Sequence, residues 1–395
     1  MTQTAPPVVA VVDERLTTTS ICLAVAYGAR HDPPGQGGLA HLLEHALMAA
    51  PVRAGASVTE YVERLGGHAN AETGLELMLF YARVHADDAD AVADRLLEAV
   101  LQPAFDPDLV RGERGVVLSE LAAAEADPCD VVQDLFLARL FPGHPLGRPV
   151  GGSRAEVEAL EPDDVARGHE RVFRPAPMTM FVTGPRVPAP LAHAPAAPAT
   201  GGAAADRGGA PAPLAGVPGD VEWPDRYAWA AIGARSTDLG DPDRHAYEIL
   251  AQLLGGSPAS MLYRALRNER GLAYSFQAWN RAYRDGGAWR VLVGVEPGNG
   301  DAILATVRDT LRRVAAGVEP DDMAAAYRQA RMALIVGRED PLEHVRMMAQ
   351  RSGAGTHVWT PSAELAALRA VTAEDVRRAA ARILDDLVVA VWPQP

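Results

Sequence analysis

The same plan is written twice in this chain of 395 residues, and that duplication limits its possible folds more than any other feature. From Pro188 to Gly219 the sequence runs mainly in Pro, Ala and Gly with almost no periodic apolar pattern. Such a composition cannot bury enough apolar surface to fold, so it reads as a linker. On either side lie segments of comparable length, 1–187 and 220–395. Ala26-Tyr27-Gly28-Ala29-Arg30 recurs as Ala231-Ile232-Gly233-Ala234-Arg235, each at the end of a strand-like run. The stretch Phe105 to Pro128 aligns without gaps on Val318 to Pro341. Each segment closes with a helix-start signal and a strand: Leu160-Glu161-Pro162-Asp163-Asp164 before Met178 to Gly184, and Val371-Thr372-Ala373-Glu374-Asp375 before Leu387 to Trp392. Thr372, with Asp375 three residues on, has the form of a helix N-cap. Gene duplication accounts for all of this.

What separates the copies is chemistry. His41-Leu42-Leu43-Glu44-His45 lies in the first segment. On a helix, residues four apart project from one face, so His41 and His45 can share a divalent zinc while Glu44 takes a proton from a water on the metal. The bland alternative is an amphipathic helix with two ordinary polar histidines. In the second copy the nearest match is His245-Ala246-Tyr247-Glu248-Ile249, whose second histidine position is apolar. Opposite Glu113 and Glu120 it has Ala326 and Ala333. Residues needed only for folding would be needed in both copies; their joint absence from one points to a functional set in the other, although drift after duplication would leave the same pattern. A catalytic zinc takes three protein ligands and keeps one position open. Glu113 and Glu120 are seven residues apart, two turns along one helix face, so they are candidates for the third ligand, although solvated helix carboxylates have the same spacing.

Composition removes several classes. The net charge of -14 argues against nucleic acid, which is bound through basic surface. It suits a cavity that attracts basic peptides, and equally it suits plain solubility. Cys22 and Cys129 are too few for a disulfide framework. The N-terminal residues lack a basic start and apolar core, and no apolar run spans a bilayer, so a soluble cytoplasmic protein is expected. At 395 residues with 48% apolar side chains, two or more globular domains are expected.

The order His-x-x-Glu-His is the inverted zinc motif of the inverzincins. With Gly38-Leu39-Ala40 before it, Asn70-Ala71-Glu72-Thr73 after it, Glu113 with Glu120, Phe141 to Gly147, Arg267 to Tyr274 and the closing helix–strand units, the chain resembles the pitrilysin/insulinase peptidases. Within that family it is most similar to the short-chain branch of mitochondrial processing peptidase and its bacterial relatives. The resemblance implies that His41, His45 and Glu120 bind one zinc per chain, with Glu44 as general base and Glu113 supporting the site from behind. It places Asn70 and Ala71 on an edge strand that receives the substrate as an added strand. It gives Arg267 and Tyr274 to the substrate carbonyl and the developing oxyanion, although alone they would read as a helix-surface charge and a strand aromatic. Met48-Ala49-Ala50-Pro51 departs from the family's aromatic and basic-Gly-Thr turn, leaving that wall of the substrate pocket open to question. His31 and His68 read as loop histidines.

The expected fold is α+β: a zinc-binding half (1–187), a linker (188–219) and a homologous half without zinc ligands (220–395), each an antiparallel sheet with helices on one side. The expected function is a zinc-dependent endopeptidase acting on peptides, as a homodimer whose chamber is built from four halves. The rivals are a non-catalytic partner subunit, for which broken ligands would be expected, and a catalytic subunit that works only with an inactive paralogue. Oligopeptide degradation, presequence processing and leader removal remain open as substrates.

Overall fold

The computed structural model describes residues 6–53, 55–195, 209, 211–212, 214, 221–353 and 359–395. Most of the Pro/Ala/Gly segment 188–219 therefore lies outside the described residues. The first copy runs β1 (Val8–Val12), β2 (Thr18–Val25), α1 (Leu39–Ala49), α2 (Val58–Arg64), β3 (His68–Thr73), β4 (Met78–His85), α3 (Ala89–Leu101), α4 (Pro107–Ala126), α5 (Pro128–Leu140), α6 (Arg154–Ala159), α7 (Pro162–Gly168) and β5 (Met178–Gly184). In the second come β6 (Ala228–Ser236), α8 (Arg244–Gly255), β7 (Phe276–Tyr283), β8 (Gly286–Val295), α9 (Gly300–Ala316), α10 (Pro320–Glu339), α11 (Pro341–Arg351), α12 (Pro361–Ala370), α13 (Ala373–Asp385) and β9 (Val388–Trp392). Strand, helix, hairpin, five helices and a closing strand recur in the same order; α2 has a π-helical counterpart at Tyr263–Glu269, which carries Arg267, and β1 is an addition to the first copy. The N-cap read at Thr372 forms as a full capping box with Asp375.

The fold is α+β, as expected. One sheet has strand order β1-β5-β2-β4-β3 and the other β7-β8-β6-β9. All pairs are antiparallel except β1 with β5, which are parallel. In the first sheet Leu23 of β2 stands between Phe80 of β4 and Met180 of β5. Together with Ile21, Val25 and Val182 these side chains form a core against Leu42, Leu43 and Leu47 of α1 and Val92 and Leu96 of α3. An equivalent core in the second sheet joins Ile232, Trp289, Val291 and Val293 to Leu250, Leu254, Val307 and Leu311.

Contacts divide the chain into two compact units: 1–122 with 149–206 and 336–360, and 123–148 with 207–335 and 361–395. They differ from the sequence segments 1–187 and 220–395 by a reciprocal exchange. Helix α11, from the second copy, packs on β2, β5 and β4 of the first sheet, while α5, from the first copy, packs on β6 and β9 of the second. Beyond the main helical layer, each sheet thus has a helix on its other face. That is why β2 is buried on both sides, with Cys22 as fully buried as Leu23. On the second sheet Arg139 of α5 donates to the Val389 carbonyl at 2.5 Å. No helix among the described residues is long and apolar enough to cross a membrane.

Candidate metal centre

Helix α1 is built to be placed accurately. Its N-cap, Gly38, has φ of 87°, a left-handed conformation that glycine adopts without strain. A Cβ there would stand 2.5 Å from the Gly151 carbonyl oxygen and 2.6 Å from Val157 Cγ2. The buried Asp32 carboxylate accepts the Gly38 and Ala40 N–H groups at 2.9 and 3.0 Å, and the Tyr27 hydroxyl at 3.0 Å. It satisfies the orphan donors of the first turn and suits the positive end of the helix dipole. Leu39, Ala40, Leu42, Leu43, Ala46 and Leu47 are buried, which leaves His41, Glu44, His45, Met48 and the final Ala49 as a half-buried stripe.

Opposite that stripe runs α4, largely solvated, with only Val110 and Val117 buried. The seven-residue spacing puts Glu113 and Glu120 toward the histidines. Glu120 Oε2 lies 3.4 Å from His41 Nε2 and 3.3 Å from His45 Nε2. The ligand atoms of these three residues all fall within 4.8 Å of one another, the one such group among the described residues. Tetrahedral zinc with bonds of about 2.0–2.1 Å separates neighbouring ligand atoms by roughly 3.3 Å, so the set fits the ion. Glu113 Oε2 is 3.2 Å from His45 Nδ1. A carboxylate there fixes the proton on Nδ1 and leaves the Nε2 lone pair free. Burial, then the neighbouring His45, pushes the His41 imidazole toward its neutral form, which is the ligating one. His41 Nδ1 is itself buried and finds no partner among the described residues.

Glu44, the third polar residue of the stripe, accepts the Thr73 hydroxyl at 2.5 Å. Burial raises its pKa, and the Thr73 hydrogen bond opposes that rise. Thr73 ends β3, the edge strand of the first sheet, which also carries Asn70 and Ala71. The Asn70 side-chain oxygen accepts the Ala71 N–H at 2.9 Å. That amide therefore stands on the open side of the strand, away from β4. Thr73 and Asp32 were not singled out in the sequence. Alternation along the strand from Ala71 would have found Thr73, whereas nothing in the spacing marks Asp32. His68 opens β3 instead of lying in a loop, its ring centroid 6.3 Å from that of Tyr81. His31 closes a short 3-10 turn at Ala29–His31. Met48 and Ala49 complete α1, and Pro51 forms an isolated bridge to Ser57.

Arg267 and Tyr274 belong to the other compact unit. There they are neighbours: the Arg267 guanidinium is 5.6 Å from the Tyr274 ring centroid and donates to the Tyr263 hydroxyl. Tyr274 is 74% exposed, free to present its hydroxyl to another molecule. The degenerate copy of the motif is occupied differently. His245 Nε2 lies 3.4 Å from Glu364, which also takes Arg244 at 3.0 Å, and Ile249 is buried.

The fold is shared with a protease from Helicobacter pylori, at a TM-score of 0.81 with 16% identity, covering 98% of each chain. Among curated sequences, an uncharacterized zinc protease of Streptomyces coelicolor is 31% identical over 383 residues, covering 90% of this chain and 80% of that one. One from Mycobacterium bovis is 30% identical over 384 residues, covering 93% and 86%. Residues 8–154 match the family model for insulinase (peptidase family M16), and residues 199–330 match the peptidase M16 inactive domain. The chain belongs to peptidase family M16.

Proposed function

We propose that the chain is a zinc-dependent endopeptidase that hydrolyses peptides or unfolded segments, and that His41, His45 and Glu120 hold one zinc ion. The observation that carries this reading is the convergence of those three ligand atoms, with spacings of 3.3 and 3.4 Å to Glu120, beside a Glu44 held by Thr73. Held by His41, His45 and Glu120, a zinc ion would supply Lewis acidity toward a peptide carbonyl and would lower the pKa of water. Glu44 accepts the proton of the attacking water at its carboxylate and returns it to the leaving amine. Glu113 keeps the His45 ring oriented. The open edge at Asn70 and Ala71 takes the substrate as an additional strand, with main-chain hydrogen bonds giving affinity without sequence demands. Arg267 and Tyr274 supply N–H and O–H donors to the carbonyl oxygen as it gains charge.

The reading includes a dimer, as the resemblance to the short-chain peptidases implies, in which one subunit's Arg267 and Tyr274 serve the other's metal half. Having both sets in one chain favours a homodimer over a pairing with an inactive paralogue. Metal analysis of the purified chain together with hydrolysis of an unstructured peptide library tests the proposal. Stoichiometric zinc and cleavage within peptide interiors are expected. Stoichiometric metal that persists in His45→Ala would mean that the ligands are other residues, and an inactive wild-type chain would point to a required partner subunit.

A further inference from the structure

Strand β3 sends alternate side chains to opposite faces of the first sheet. Ala69 and Ala71 join the core with α1, and Thr73 reaches Glu44. Glu72 points the other way, into the layer between the sheet and α11. There its carboxylate accepts the Arg346 guanidinium and a hydrogen bond from the Tyr81 hydroxyl. Burial, then the charge of Glu72, pushes the Tyr81 hydroxyl up to about 12. Arg346 lies 5.0 Å from the Tyr81 ring centroid and also donates to Glu343, one turn earlier on α11. A second tie holds the same hairpin: Arg83 of β4 meets Asp340, the N-cap of α11, at 3.2 Å. The side chains of Arg346 and Glu72 are 25% and 32% exposed, so this pair is less screened than a surface ion pair.

We propose that Arg346 is a positioning residue for the substrate-receiving edge of the metal half, an inference that rests on the peptidase reading above. An edge strand has one hydrogen-bonded neighbour and opens more readily than a central strand. A peptide added to β3 is held in register only if β3 is fixed. Thr73, one residue from Glu72, keeps its hydroxyl on the base only if the strand does not twist. Arg346 fixes the strand from the face opposite the metal, without touching substrate or ligands. It is contributed by the second copy through the helix exchange, and so ties that copy to the function of the first.

The test uses the full-length, zinc-loaded chain and the variants Arg346→Met, which keeps the packed stem, Glu72→Gln, and the double variant. Hydrogen exchange at amides 68–73 should accelerate roughly tenfold in Arg346→Met, while amides of α1 and α3 and the zinc content stay at wild-type values. With a fluorogenic peptide, kcat/KM should fall roughly tenfold, mainly through KM, and the double variant should be no worse than the poorer single one. Unchanged exchange at 68–73, or strictly additive losses in the double variant, would overturn the inference. A general loss of protection and zinc in Arg346→Met would also overturn it, by making the residue merely structural. If the wild-type chain binds no zinc and cleaves no peptide, the peptidase reading fails; if it binds zinc but is inactive, a partner subunit is required; in both cases the exchange at 68–73 still decides whether Arg346 holds the strand.

Discussion

Glu44 is aimed by Thr73, a side chain from a different element, and that 2.5 Å hydrogen bond holds in place the carboxylate proposed as the base. Glu44→Gln keeps the shape of the side chain but cannot accept a proton, so hydrolysis should fall by roughly three or more orders of magnitude while zinc content and fold persist. Turnover near the wild-type value would remove Glu44 from this role. Thr73→Val keeps the volume and removes the hydroxyl. A hydrogen bond to a charged group is worth about 1.5–3 kcal/mol, so kcat/KM should drop roughly 10–100-fold with zinc retained. At this scale the histidines were legible because four residues is a near-integral helical turn. Glu113 and Glu120 became candidates through their spacing and the alanines opposite them in the second copy, and the family resemblance singled out Glu120. Thr73 was legible as a residue on the face of Ala71 through the strand's alternation, but its hydrogen bond to Glu44 depends on how far β3 lies from α1, which no local period encodes.

Among the elements, α1 depends most on its surroundings. Removing the carboxylate in Asp32→Ala would leave two first-turn N–H groups and the Tyr27 hydroxyl without their buried acceptor. A loss of roughly 2–4 kcal/mol in denaturant unfolding is expected, with weaker zinc retention against a chelator. Unfolding at the wild-type denaturant midpoint would show that the cap is dispensable. Gly38→Ala should be at least as damaging, since a Cβ meets Gly151 and Val157 at under 3 Å and the backbone is left-handed there. Local signals served well where an element is capped by its own residues, as at Thr372 with Asp375. They failed where a long-range partner decides. His68 became a strand residue by pairing with Arg83, and β1 joined the sheet in parallel by pairing with β5.

At the scale of the molecule, the duplication was legible from repeated motifs and an ungapped alignment. The exchange of α5 and α11 was not, because those helices occupy matching places in the two copies and nothing in an amphipathic pattern names the sheet it will cover. Assembly carries a direct prediction. If sites form between subunits, Glu44→Gln and Tyr274→Phe should each be nearly inactive. After mixing with subunit exchange, about a quarter of wild-type activity should return, since half the dimers are mixed and each has one intact site of two. A site formed within one chain would give no recovery. The exchange has its own test: a fragment ending at residue 187 should bind hydrophobic dye and aggregate, and adding a peptide of residues 336–360 should reduce both. Dye binding unchanged by the peptide would mean that α11 is not what the exposed face lacks.

That exchange also sets a timetable for biosynthesis. When Gly184 leaves the ribosome, every strand of the first sheet exists, yet Cys22, Tyr81 and Phe181 still face solvent, because the helix that covers them ends at Arg351. At roughly 5–20 residues per second, the nascent chain carries that bare apolar surface for on the order of ten seconds or more. The exchange also means that a ribosome stalled between residues 184 and 340 holds a chain that already contains His41, His45 and Glu120 and every strand of the first sheet but lacks the helix that covers one face of it, so translation must pass Arg351 before this unit can close.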